Sequence, residues 1–190
     1  MAIKKQDIWY LFLQIIPVMI GVYLGFWLSE RGVKSHTDEQ VQKLETLIID
    51  ELKSNQEMVT AKLGYHEMLR DTLRVFVNSE ITLDRSRLYK TFNGLQPPLL
   101  KEACYQSGIQ TGLLTNFDLD IVALLNEIMA EQKSLNKYTD SAIAALLSTG
   151  SFDDEGFNTM LERVLLNLND MTSFEVSLIK KYNTTLKKME

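Results

Sequence analysis

Two histidines, one cysteine and one acidic triplet are the residues here whose types suit chemistry. His36 and His66 could move protons near neutral pH or bind a metal through neutral imidazole. Cys104 could be a nucleophile if a basic group lowered its pKa. Asp153, Asp154 and Glu155 could gather round a cation. Their spacing argues against each role. No His-x-x-x-His or Glu-x-x-His pair occurs, and Cys104 has no second cysteine. A zinc or di-iron centre needs more ligands at helical spacing. No histidine lies near Cys104 in sequence. The acidic triplet stands where a helix is expected to begin, and acidic side chains are favoured there without a ligand. The glycines are scattered, so no phosphate-cradling loop forms. We therefore expect no enzyme, no metal and no cofactor.

The elements that would position these residues are helices. Three prolines and nine glycines in 190 residues leave room for long uninterrupted segments. The net charge is −5; Lys4, Lys5 and Asp7 are the only charges in residues 1–29, which leaves −6 on the rest. An acidic domain has no electrostatic affinity for a phosphate backbone, so no nucleic-acid partner is expected. A single cysteine excludes an internal disulfide scaffold.

Ile8 to Ser29 is a 22-residue stretch without a charge. As a helix it is roughly 33 Å long, matching a bilayer's hydrocarbon core. Trp9, Tyr10 and Phe12 lie at its start and Tyr23, Phe26 and Trp27 near its exit. Such rings favour the headgroup level. A cleaved signal peptide and a buried core helix are the alternatives. The first should be shorter and end in small residues, but SERGVKSHT follows here. The second should show a charged face. A retained transmembrane helix is the expectation. Gly21 and Gly25 form a small-xxx-small pair, a candidate helix contact in the membrane. The lysines before the span favour a cytoplasmic N-terminus, which places the remaining chain outside a bacterial inner membrane, in a periplasm.

Residues 30–37 read as a juxtamembrane linker containing Gly32, and Thr37 to Gln40 fits a capping box. From there Val41, Leu44, Ile48, Leu52, Val59, Leu63, Leu69, Leu73 and Phe76 make one apolar face, with a break allowed near Gly64. His66 and Asn55 lie at the edge of that stripe. His66 is then a pH switch or a hydrogen-bonded polar residue. Short helices are expected near 85–93 and 98–107. Thr115 or Asn116 should open a long helix with Leu119, Val122, Leu125, Ile128 and Met129 inward, stopping at Gly150. A last helix from Ser151 or Asp153 should bury Leu161, Leu165, Leu168, Met171, Ile179, Tyr182 and Leu186. The fold class is all-α: an N-terminal transmembrane helix followed by an antiparallel bundle of long helices with short inserted helices. The divisions are 1–7 tail, 8–29 span, 30–37 linker and 38–190 bundle.

The stretches IGVYLGFW, LIIDELKSNQEM and YQSGIQTGLLTNFDLDIVALLNEIMAEQKSLNKY carry a resemblance. The chain resembles the single-pass helical proteins of Bacteroidota grouped as domain of unknown function 6090. The matching residues are Ile20, Gly21, Ser107, Gly108, Leu113, Leu114, Asn116 and Leu119. The resemblance implies an anchored helical architecture and assigns no reaction. Read physically, Ser107, Gly108 and Asn116 form an elbow between helices in which Gly108 adopts positive φ; it is also a candidate partner contact. The expected function is a membrane-anchored accessory or scaffold subunit binding a protein partner or a second copy of itself. A sensor-type input domain signalling through a partner is the alternative.

Overall fold

The computed structural model describes residues 5–78, 88, 90–147 and 154–189, with residues 5–14 and 154 described by backbone alone. Among the described residues there are α-helices and one 3-10 turn but no strand. Helix α1 is Lys5–Asn78, α2 is Ala103–Gln110, α3 is Leu119–Leu146 and α4 is Asp154–Met189; a 3-10 turn covers Leu113–Asn116. The chain divides into two units, one ending at Lys43 and one running from Leu44 to Glu190.

In the first unit α1 is unbroken through Pro17, Gly32 and residues 30–37. This corrects the linker. One glycine costs about 1 kcal/mol in a helix interior, too little to stop a helix with good formers on both sides. Thr37 is no cap either: its Oγ1 donates to Val33 O at 3.0 Å, the back-bond of a mid-helix threonine. The large apolar side chains from Ile15 to Leu28 are all exposed, at 44–74%. Gly21 and Gly25 have no other group within 4 Å of where a Cβ would lie. The Arg31 guanidinium lies over the Trp27 ring, 4.4 Å from its centroid. Among the described residues no helix is long and apolar enough to cross a membrane. Ile8–Gln14, the first part of the segment read as a span, lie outside the residues whose side chains are described.

The second unit is a helical bundle. On α1, Leu44, Ile48, Leu52, Val59, Leu69 and Leu73 are buried, as their three- and four-residue steps require. They meet Leu125, Ile128, Leu135 and Ala142 of α3, and Leu161, Leu168, Met171, Leu178 and Tyr182 of α4, in one core. Polar cross-links fix the directions. His66, Arg70 and Arg74 reach Glu175, Thr172 and Asn169, so α1 and α4 are antiparallel. Asp120, Glu127 and Glu131 meet Lys188, Lys181 and Ser177, so α3 and α4 are antiparallel too. At the centre Gln132 donates to the Tyr182 hydroxyl at 2.8 Å. Burial pushes the Tyr182 phenol up to about 12.

Several boundaries differ from expectation. Leu119 is 82% exposed rather than inward. The cap of α3 is Asp118, which accepts from Asp120 N at 2.7 Å, and not Thr115 or Asn116. Helix α3 ends at Leu146, before the expected stop; Gly150, Ser151 and Asp153 lie outside the described residues. There is no break at Gly64, which sits exposed in α1 with open space at its Cβ position. Gly64→Ala should therefore raise stability by about 1 kcal/mol through helix propensity alone. Urea denaturation followed by circular dichroism measures it, and an unchanged midpoint contradicts it.

Candidate functional site

Residues 92–102 form no helix, yet they are held against the bundle by α1. The means are side chains that bond to backbone. Glu51, Asn55, Lys62, Tyr65 and His66 recur at steps that keep them on one side of α1. Asn55 is fully buried and donates to Lys101 O at 2.7 Å while accepting from Lys101 N at 2.8 Å. Its amide thereby replaces a neighbouring peptide group. The Tyr65 hydroxyl donates to Gly94 O at 2.6 Å and accepts from Asn93 N at 3.1 Å. Lys62 Nζ donates to Gln96 Oε1 at 3.1 Å. The Glu51 carboxylate takes Cys104 N at 2.9 Å and Tyr105 N at 3.5 Å. These are first-turn N–H groups of α2, whose own N-cap residue Glu102 supplies no side-chain bond. Glu51 serves as a cap from another helix.

His66 is the deepest member. It is fully buried, with Nε2 2.6 Å from Leu95 O and Nδ1 2.7 Å from Glu175 Oε1. Glu175 is also fully buried, and its Oε2 has no hydrogen-bond partner among the described residues. A carbonyl can only accept, so Nε2 carries a proton. The close contact of Nδ1 with a carboxyl oxygen needs a second proton between them. Burial is the largest influence on the imidazole and pushes its pKa down. The hydrogen bond and charge of Glu175, with the Leu95 carbonyl, outweigh it and lift the value above 6.5. Gly94 and Gln96, on either side of Leu95, both adopt positive φ, at 79° and 46°. Gln96 is not glycine, so its backbone is strained there.

This geometry bears on the chemistry expected from the sequence. With both ring nitrogens occupied, His66 has no lone pair for a metal or a substrate proton. Burial, then the nearby Glu51 charge, push the Cys104 thiol up, away from the reactive thiolate. Among the described residues no group of three or more His, Cys, Asp or Glu could hold a metal. Of the acidic triplet, Asp153 lies outside the described residues, Asp154 is described by backbone alone, and Glu155 is exposed. A cleft of about 460 Å3 between α2 and α3, lined by Glu102, Gln106, Lys133 and Asn136, contains no nucleophile–base pair.

The elbow residues are placed differently from expectation. Ser107 and Gly108 lie inside α2, and the positive φ belongs to Gly112, at 72°. Ser107 Oγ donates to Ala103 O at 2.8 Å and Asn116 Nδ2 to Leu113 O at 3.3 Å. Those side chains satisfy their own backbone. Gly108 is buried against Leu44 and Leu114. The sequence reading brought Asn55 and His66 to the stripe's edge but missed Glu51, Tyr65 and Glu175. An acidic residue in an apolar face is the signal that Glu51 and Glu175 offered. Comparison with family models, with curated proteins and with solved structures finds no match to this chain.

Proposed function

We propose that this chain is a membrane-anchored helical accessory or scaffold subunit that binds a protein partner. The observation that carries the reading is the apolar length of α1: eleven large hydrophobic side chains between Ile15 and Leu28 are 44–74% exposed. Each costs roughly 1.5–3 kcal/mol in water relative to an apolar surrounding. Lipid removes that cost on every side of the helix at once, which a single protein groove does not. Arg31 folded back over Trp27 suits a position at the headgroup level. Ile8–Gln14 complete the span by sequence, and the lysines before it favour the bundle on the periplasmic side of an inner membrane. The resemblance through Ile20, Gly21 and Ser107–Leu119 supports the same anchor-plus-bundle plan. A non-catalytic role accords with the engaged His66 and the protonated Cys104 thiol.

Fractionation tests the reading. The intact chain should stay in the membrane pellet after alkaline carbonate washing, while a chain lacking residues 1–29 should move to the supernatant. Crosslinking in native membranes should then capture a defined protein complex. Intact chain in the soluble fraction overturns the anchor; a strictly monomeric species at native abundance overturns the scaffold.

A further inference from the structure

We propose that His66 is a proton-gated latch: loss of one ring proton to solvent removes the donor to Leu95 O and loosens the hold of α1 on residues 93–96. The argument begins with counting. The ring faces two acceptors, Glu175 Oε1 at 2.7 Å and Leu95 O at 2.6 Å, and satisfies both only with two protons. A neutral ring has one proton to share. The carboxylate is the stronger acceptor and keeps it at Nδ1. Nε2 then turns a lone pair on the Leu95 carbonyl, and the contact becomes repulsive.

The groups facing His66 set when this happens. From α4 comes Glu175, which holds the proton. From α1 come Lys62, whose charge opposes it, and the tilted Tyr65 ring at 5.8 Å. One turn further along α1, Arg70 is bound to Thr172. The held segment brings no ionisable side chain between Asn93 and Leu100. It does bring strain, at Gln96, where φ is 46° immediately before Pro97. Release therefore relaxes a backbone that the latch keeps bent, while Tyr65 on Asn93 and Gly94 and Asn55 on Lys101 hold the segment on either side of Leu95. The sign follows from the raised pKa of His66. The latch is closed below about 6.5, the unfolded value. It opens as pH rises through the higher folded value.

The full chain in detergent, with 15N-labelled histidine, provides the test. His66 and His36 give the only histidine signals. Ring nitrogen shifts report whether His66 holds one proton or two. Hydrogen exchange of residues 93–96, corrected for intrinsic pH dependence, reports release. Protection of that segment should fall at least tenfold across the pH at which the ring loses its proton, while α3 stays protected. In Glu175→Gln the ring's midpoint should move to lower pH while release no longer follows it, because the glutamine amide can donate to Nδ1 and leave the ring's proton on Nε2 for Leu95 O. A ring already neutral at pH 6, protection unchanged through the ring titration, or release only on global unfolding each overturns the latch. Should the variant fail to fold, the wild-type coincidence of the two midpoints decides alone.

Discussion

Replacing Glu175 by alanine should cost the bundle about 3–5 kcal/mol at pH 6, the loss typical of breaking a buried pair from one side. Glu175 and His66 are both fully buried, on α4 and α1. Without the carboxylate the imidazolium has no counter-charge, and a neutral ring leaves one nitrogen without a partner in a dry site. The loss should shrink as pH rises through the folded pKa of His66, because there the wild type gives up the imidazolium charge that Glu175 pairs and keeps only the Nδ1 hydrogen bond. Urea unfolding at pH 6 and at pH 9, followed by circular dichroism, measures both parts. A loss under about 1 kcal/mol at pH 6, below the ordinary value for a buried charge-assisted bond, contradicts the charged pair.

Gly108→Val is the second large effect, with an expected loss of about 2–3 kcal/mol from overpacking. A Cβ at Gly108 would lie 2.8 Å from Leu114 Cγ and 2.9 Å from Leu44 Cδ2. The Leu44 atom is a terminal methyl and can rotate away. The Leu114 atom is a branch point in the turn that joins α2 to α3, so the turn itself must move. Valine adds two methyl groups beyond the Cβ. The substitution also separates two explanations of this glycine. Packing predicts lower stability in the isolated chain. A pure partner contact predicts normal stability with lost complex formation. A wild-type urea midpoint therefore sinks the packing account.

The long helices were legible because their signal is local. Leu44, Ile48, Leu52, Leu69 and Leu73 mark a face by spacing alone, and scarce glycine and proline leave little to interrupt it. The reading failed where a residue's role depends on distant chain. Thr37 resembles a cap, but nothing nearby ends the helix it sits in. Gly108 and Gly112 are the same residue type; which one bends backward is decided by Leu44, 64 positions before Gly108, and by the 3-10 turn. The course of residues 92–102 is set by Asn55 and Glu51, 46 and 53 positions before their partners Lys101 and Cys104. His66 finds its carboxylate 109 positions away. No periodicity encodes such pairings.

Because Glu51, Asn55, Tyr65 and His66 grasp main-chain atoms, they read the path of a segment and not its spelling. Exposed positions such as Asn93 and Leu99 are thus free to drift through evolution, or to be rewritten by an engineer, without loosening the grip. The four gripping positions have no such latitude.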